Sequence, residues 1–452
     1  MPSTTTSSSK ASSSTSSNTS SNTSGKKISP ASSSSSGTTR EKTASSRKGE
    51  STSTDFSTLI KTNPKLSAKP ITNKDGDDIT EYFDETNVLN AKIEHLVNLI
   101  NQSKHIVLYT GAGISRAAGI RDYRSPNGVW TMKEKGVKTV AKKDESKIIF
   151  PTRTHMAIST LYNAGKIQYV TSQNVDGLHV KSGIPRKNMS ELHGNTNVEI
   201  CHKCNIEYVR NFRCRNNKNV HDHRTGRFCE KCKSELEDTI INFNENLPTD
   251  QLERAEENAS KADLAIVVGT SMRVNPACSL PQMCKENGGK LVIINLQLTP
   301  KDKKADLRIF AEADKVIDTV MKKLALEIPP FILETEYSLE SFESVNPTSE
   351  KKLIGFKITS PSPLGPMGSK VLRSISLKVH GSKVVSFKDT MMLDPIPSDC
   401  TKISAVLKYN LNSIDEKEAK CTIELENPLN ITSKSFALKV NTSTNEITVT
   451  EK

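Results

Sequence analysis

Apolar residues in this chain fall into short blocks whose spacing changes along its length. From Val88 onward, Ile93, Leu96, Val97 and Ile100 recur at helical spacing. The run from His105 to Tyr109 follows, apolar on consecutive positions, as expected of a strand buried on both faces of a parallel sheet. The same pattern returns at Lys166–Thr171, Asp263–Val268 and Lys290–Asn295, and in a last short form at Lys315–Asp318. Helical patterns lie between them, for example at Thr249–Ala259 and Ala277–Glu286. Strand and helix alternating in this way predict an α/β fold, a doubly wound parallel sheet with helices on both faces.

After about residue 333 the blocks shorten. Leu353–Ile358, Val371–Val379, Val384–Phe387, Ile403–Tyr409, Cys421–Leu425, Phe436–Val440 and Ile447–Val449 are separated by Gly, Pro, Asn and Asp. They predict a β-rich, sandwich-like accessory domain over 333–452, with no catalytic constellation in it. Residues 1 to about 55 are mostly Ser, Thr, Asn and Lys. Such a segment buries too little apolar surface to offset the entropy of ordering, so a disordered tail is expected. Residues 56–85 stay polar, with an acidic cluster at Asp75, Asp77 and Asp78, and read as a linker. The chain then divides into tail and linker (1–85), α/β domain (86–332) and accessory domain.

Composition sharpens this in three ways. Net charge is +12 over 452 residues, which favours anionic partners, nucleic acid among them. The basic pairs Lys26-Lys27 and Arg47-Lys48 in the tail are candidates for nuclear import or DNA contact. No run approaches the roughly eighteen apolar residues of a membrane span, so no membrane role is expected. No apolar export signal opens the chain, so its nine cysteines are expected in a reducing compartment, where paired spacing points to metal.

The chemistry concentrates where the strands end. Gly111-Ala112-Gly113-Ile114-Ser115 follows the first strand, as in Rossmann-like folds that bring backbone N–H groups against a phosphate. Gly119, the third glycine, comes later than in the usual dinucleotide fingerprint. Gln173, Asn174, Asp176 and His179 follow the second strand, Gly269-Thr270-Ser271 the third, and Asn295-Leu296-Gln297 the fourth. Ligands of such sheets bind at the carboxyl ends of the strands. Two Cys-x-x-Cys pairs, Cys201/Cys204 and Cys229/Cys232, stand twenty-four residues apart in a segment (about 199–235) poor in apolar residues. They fit a closed, structural Zn²⁺ site, with Cys214, His202, His221 and His223 as spare donors nearby. His193, between the polar quartet and the first pair, is the candidate general base, since neutral imidazole suits a ribose hydroxyl or a water.

GAGIS (Gly111–Ser115), GIRDYRS (Gly119–Ser125), TSQNVDGLH (Thr171–His179), ELHG (Glu191–Gly194), the four cysteines, VVGTSMRVNP (Val267–Pro276) and INLQ (Ile294–Gln297) together resemble the sirtuins, NAD-dependent protein-lysine deacylases. The resemblance covers roughly residues 88–330. Ser125–Gly136, His223–Arg227 and Asn295–Asp302 are most similar to the nuclear, chromatin-associated branch. It implies NAD across the carboxyl edge of the sheet, with Gly111, Ala112, Gly113 and Ser115 at phosphate and ribose. Asp122, Tyr123 and Arg124 would form the cofactor loop. Gln173, Asn174 and Asp176 would line the ribose and nicotinamide pocket, Asn174 and Asp176 joining His193 as catalytic residues. Gly269, Thr270, Ser271, Asn295 and Gln297 would hold the adenosine half. The implied reaction moves the acyl group of a lysine onto ribose, releasing nicotinamide, 2′-O-acyl-ADP-ribose and free lysine. The substrate peptide would add as a strand between Phe243–Glu245 and Val274–Pro276.

Two departures stand out. Arg121 and Tyr123 replace the usual proline and phenylalanine of the cofactor loop, and Asn244 replaces a glycine whose positive φ asparagine tolerates. Implied partners are acyl-lysine proteins, histones or other nuclear proteins, with the nucleus as compartment and the cytoplasm second. Two alternatives keep the site and change the reaction: a mono-ADP-ribosyltransferase, or a deacylase preferring long acyl chains. A third is a chromatin-binding scaffold that only senses NAD.

Overall fold

The computed structural model describes residues 55–137, 149–210, 212–215 and 219–345. Beyond them it describes segments 352–359, 372–379, 385–387, 390–393, 402–409, 419–426 and 434–441, with 444 and 446–451. The Ser/Thr-rich tail and its two basic pairs lie outside the described residues.

Helices α1 (Phe56–Lys61) and α2 (Thr86–Gln102) precede strand β1 (Ile106–Thr110). Next come α3 (Val129–Glu134), α4 (Arg153–Asn163), β2 (Tyr169–Ser172), α5 (Leu178–Lys181) and β3 (Met189–Glu191). An insert of four strands follows: β4 (Val198–Cys201), β5 (Ile206–Val209), β6 (Arg224–Phe228) and β7 (Glu235–Asp238). The chain then returns through α6 (Thr249–Lys261), β8 (Leu264–Val268), α7 (Leu280–Glu286), β9 (Lys290–Ile294), β10 (Leu307–Ile309) and α8 (Ala313–Lys323).

The central sheet has the order β10-β9-β8-β1-β2-β3, and every pair in it is parallel. From β1 the chain winds one way through β2 and β3; after the insert it winds the other way from β8. That reversal beside β1 opens a crevice at the carboxyl ends of β1 and β8.

The continuous apolar runs follow from burial on both faces. Ile106, Leu108, Leu264, Ile266, Val292 and Ile294 pack with Leu96, Ile158 and Val320 of α2, α4 and α8. Their neighbours Val107, Tyr109, Ala265, Val267, Leu291 and Ile293 pack with Ala255 and Leu280 of α6 and α7. Both faces are covered by helices, so the pattern is apolar rather than alternating.

Two expectations are corrected. Lys315–Asp318 is not a strand; it lies in α8, where Val316, Ile317, Val320 and Met321 make one buried stripe. Four residues are too few to separate a buried strand from a helical turn. The edge strand is β10, whose Leu-Arg-Ile sequence hides it because Arg308 interrupts the apolar run. Residues 56–85 are also more than a linker. Ile79 and Tyr82 are buried, the Tyr82 amide donates to Leu296 O (2.9 Å), and the Asp84 amide donates to Phe310 O (2.8 Å).

The C-terminal strands are β11 (Ile332–Val345), β12 (Lys352–Thr359), β13 (Leu372–Val379), β14 (Val385–Phe387), β15 (Thr390–Leu393), β16 (Lys402–Tyr409), β17 (Ala419–Glu426), β18 (Lys434–Asn441) and β19 (Ile447–Glu451). They form two antiparallel sheets, β15-β12-β11-β18-β19 and β14-β13-β16-β17. The first of them, β11, was not expected: Glu334, Glu336, Glu340 and Glu343 break up its apolar residues.

The strap ahead of α2 is anchored by a sealed ion pair. Lys92 Nζ of α2 meets Asp84 Oδ1 at 2.7 Å, with neither side chain exposed, and Asp84 Oδ2 accepts the Phe310 amide at 2.8 Å. Burial pulls the Lys92 ammonium below its usual pKa, while Asp84 opposes the shift. Asp84→Ala leaves a buried cation without its partner. We expect a loss of about 3–5 kcal/mol in urea unfolding; an unchanged midpoint would show that water reaches Lys92.

Candidate active site and metal centre

A cavity of about 950 Å³ opens at the carboxyl ends of β1, β2, β8 and β9, a size suited to an organic ligand. Its floor is two glycine turns pressed together. A Cβ on Gly113 would stand 2.6 Å from Gly269 Cα, and one on Gly111 2.6 Å from Thr270 Cβ. Gly269 has φ +63°, which favours glycine. The Gly111 and Gly113 amides donate to Val268 O (3.2 Å) and Gly269 O (2.9 Å). The Gly-x-Gly spacing therefore serves turn-on-turn packing as well as access for a ligand. Gly119 closes the following 3-10 turn at φ +81°.

Gly111, Ala112, Gly113, Gln173, Asn174, Asp176, His193, Gly269, Thr270, Ser271, Asn295 and Gln297 all line this one cavity, although they come from separate parts of the chain. Ser115 stands behind the wall, fully buried, and its hydroxyl donates to Asp176 Oδ2 at 2.7 Å. Asn174 Nδ2 donates to Gly111 O (3.1 Å) and Ser115 Oγ (3.2 Å), so Asn174 and Asp176 are tied to the first glycine turn. Gln173 Nε2 donates to Thr270 Oγ1 at 3.0 Å, which links the second turn. His179, the fourth polar residue after β2, is turned away into the interior. It bonds Thr110 Oγ1 (2.8 Å) and lies beside His155, and burial holds its pKa down at about 3.

His193 Nδ1 lies 3.0 Å from the Gln173 carbonyl oxygen. A carbonyl only accepts, so Nδ1 carries the proton and Nε2 carries the lone pair. Burial pulls the His193 pKa below its usual value, against the opposing Gln173 bond. The imidazole is thus neutral and basic at Nε2 near pH 7. Gly194, at φ +79°, lets the chain leaving β7 in, because a Cβ there would collide with Thr239 O. His193 O then accepts the Ile241 amide at 3.0 Å.

Asp122, Tyr123 and Arg124 line the opposite wall with Arg121, whose side chain is exposed. Asp122 Oδ1 accepts from Ser125 Oγ (2.6 Å), which braces the loop. Tyr123, Trp130 and Phe243 form an aromatic row at 5.0 and 5.5 Å, and the Arg124 guanidinium lies 4.3 Å over Trp130. Gln297 Nε2 donates to Ile79 O (2.7 Å) and Arg124 O (3.1 Å), which joins strap and loop. Sequence reasoning missed the residue beneath. Arg308 of β10 is buried and donates to Asn295 O (2.7 Å), Gln297 O (2.6 Å) and Asp302 Oδ1 (2.9 Å), fixing the turn after β9. An arginine interrupting a short apolar run was the available signal.

The insert strands form a sheet of order β5-β4-β7-β6. One sulfur from each of Cys201, Cys204, Cys229 and Cys232 lies within 4.8 Å of the others. Sulfurs on a tetrahedral metal with bonds of about 2.3 Å stand roughly 3.8 Å apart, so the four cysteines fit a Zn²⁺ ion and leave no open position. The spare donors are not part of this group. Asn205 (φ +52°) and Lys233 (φ +59°) turn the chain left-handed just past each pair, and so aim both sulfurs of a pair at one point. Glu199, buried, takes Arg210 and Arg227 at 2.7 Å each, a second brace for a module poor in apolar contacts. Cys204→Ser is expected to take metal content from about one ion per chain to near none and to open the insert to proteolysis. Elemental analysis of the purified chain measures the first, and retained metal would refute the assignment.

Comparison with known proteins agrees with this geometry. A sequence profile described as the Sir2 family matches residues 135–276. The NAD-dependent protein deacetylase SRT1 of Arabidopsis thaliana is 39% identical over 316 residues, covering 70% of this chain and 66% of that protein. The NAD-dependent protein deacetylase sirtuin-7 of Bos taurus is 44% identical, covering 56% of this chain and 64% of that protein. The chain thus spans just under two thirds of the length of these two relatives. The NAD-dependent protein deacetylase Sirt6 of Drosophila melanogaster is 42% identical over 283 residues, covering 60% of this chain and 84% of that protein. With its parallel sheet, facing glycine turns and four-cysteine insert, the chain belongs to the Sir2 family.

Proposed function

We propose that this protein is an NAD-dependent protein-lysine deacylase, acting first on acetyl-lysine. The observation that carries the reading is His193: a neutral imidazole with Nδ1 held by Gln173 O, in the wall of a nucleotide-sized cavity that Asn174 and Asp176 also line. NAD, when bound, would supply a ribose carbon made electrophilic by the leaving nicotinamide and a neighbouring hydroxyl oxygen on which the acyl group ends. The glycine turns, Gln173, Thr270, Ser271, Asn295 and Gln297 hold the nucleotide; Asp122, Tyr123 and Arg124 cover it. Asn174 and Asp176 orient the ribose. His193 Nε2 accepts the proton of a ribose hydroxyl. Phe243, Asn244, Val274 and Asn275, all at the cavity wall, take the substrate chain in extended form. Asn244 stands at φ +70°, the conformation the family's glycine would supply.

The domain division we propose keeps the Ser/Thr-rich tail, a catalytic unit over 86–332 and an accessory unit over 333–452. The contacts of Ile79, Tyr82 and Asp84 favour adding that strap to the catalytic unit. The substrates we assign are histones or other nuclear proteins. Net charge of +12 supports a nuclear, chromatin-associated setting with nucleic acid as a further partner.

Mass spectrometry of acetylated and myristoylated histone peptides with NAD tests the reading. Loss of the acyl mass with release of nicotinamide is expected. Transfer of ADP-ribose onto protein without peptide deacylation would sink it. His193→Ala should lower kcat by about 10²–10⁴-fold while calorimetry still detects NAD binding. Because burial lowers the His193 pKa, its neutral form persists below the ordinary value of 6.5, so the acid limb of kcat/KM should lie below pH 6.5. A limb above that pH would show that another group is the base.

A further inference from the structure

Glu245, at the substrate side of the cavity, is held by two histidines from the segment between the cysteine pairs. Its Oε1 takes His221 Nδ1 at 2.7 Å and His223 Nε2 at 3.2 Å. Its Oε2 accepts the Asn242 amide at 2.7 Å, which closes the loop 242–245 on itself. Asn242 Nδ2 in turn reaches Val220 O at 2.9 Å. Behind His223, Nδ1 lies 3.3 Å from Asp238 Oδ1, on a side chain only 1% exposed. Arg215 completes the surroundings, with Nε 3.8 Å from Asp238 Oδ2 and Nη1 3.2 Å from Asn242 Oδ1.

Loop 242–245 directly follows a backbone bond to the base, since Ile241 N donates to His193 O. It also carries Phe243, which is 61% exposed, in the aromatic row at the cavity mouth. A loop with so exposed an apolar residue has little packing to hold it and depends on polar bonds. We propose that His221 and His223 are positioning residues: they clamp Glu245 so that loop 242–245 keeps the shape that receives the acylated polypeptide. This builds on the deacylase reading and adds to it a device outside the nucleotide site.

The clamp is charge-assisted. Burial opposes both ionised forms, but the Asn242 amide and the two histidines outweigh it and hold the Glu245 carboxyl down at about 2. At His223 burial pulls the pKa down, while Glu245 and Asp238 outweigh it and raise it above the usual value. The raised His223 pKa means that its arm of the clamp is complete below about 6.5 and weakens as pH rises through the folded-state value.

Three measurements on the full chain test this. In His221→Ala/His223→Ala, KM for an acetyl-lysine peptide should rise about tenfold, while kcat and KM for NAD stay within about twofold. His223→Gln, which keeps a donor, should recover most of the peptide KM and lose its rise at alkaline pH. Hydrogen exchange of segment 241–247 should quicken in the double variant, without peptide or NAD present. Unchanged exchange overturns the clamp, whatever the kinetics. A parallel change in peptide KM, NAD KM and kcat, or a loss of metal, would show a merely structural role and also overturn it. A wild-type chain that turns over no acyl-peptide overturns the deacylase reading and the polypeptide part of the proposal, and exchange then judges the clamp alone.

Discussion

The structure depends on one close approach: the turn after β1 lying flat against the turn after β8. Gly111, Gly113 and Gly269 allow it because no side chain can stand between them. The two strands are neighbours in the sheet but far apart in the chain, and the sheet winds in opposite directions from them. A ligand-sized crevice follows from that reversal alone. The glycines remove the side chains that would otherwise fill it, and the amides of Gly111 and Gly113 bond the facing turn. Asn174, Asp176 and Gln173 are then tied to the two turns through Gly111, Ser115 and Thr270.

A second approach brings in the other half of the site. Gly194 lets Thr239 against the chain just after the proposed base, and Ile241 bonds the base's own carbonyl. The four-cysteine insert is thereby joined to the sheet at the residue where chemistry is proposed. Its metal position has no open coordination site, so its contribution is placement. The insert fixes β7, β7 leads into loop 242–245, and that loop lines the cavity.

The third side of the cavity comes from pieces that look unremarkable in sequence. Buried Arg308 ties Asn295 and Gln297 in place, and the strap around Ile79 and Tyr82 reaches Gln297 and Leu296. Both use polar side chains as internal struts. Buried charges of this kind are tolerated because each is paired: Lys92 with Asp84, Arg308 with Asp302 and four carbonyls. They hold the loops where helix packing does not reach.

By itself the sequence determined the parts whose physics is local. Strands apolar on consecutive positions must be covered on both faces, so Ile106–Thr110 and Leu264–Val268 were legible as buried parallel strands. Paired cysteines at short spacing declared a metal site, and glycines at strand ends declared turns. Only the tertiary structure decided what polar residues do. Leu307–Ile309 and the strap before α2 looked like neither strand nor core, because their burial depends on partners far along the chain. The four residues Lys315–Asp318, only two of them apolar, fitted strand and helix alike until α8 showed its buried stripe. Gln173, Asn174 and Asp176 face the cavity while His179, three residues on, faces the interior, a choice made by Thr110 and His155 rather than by spacing. Hydrogen bonds between distant residues carry no periodicity, so they leave no pattern in the chain to read.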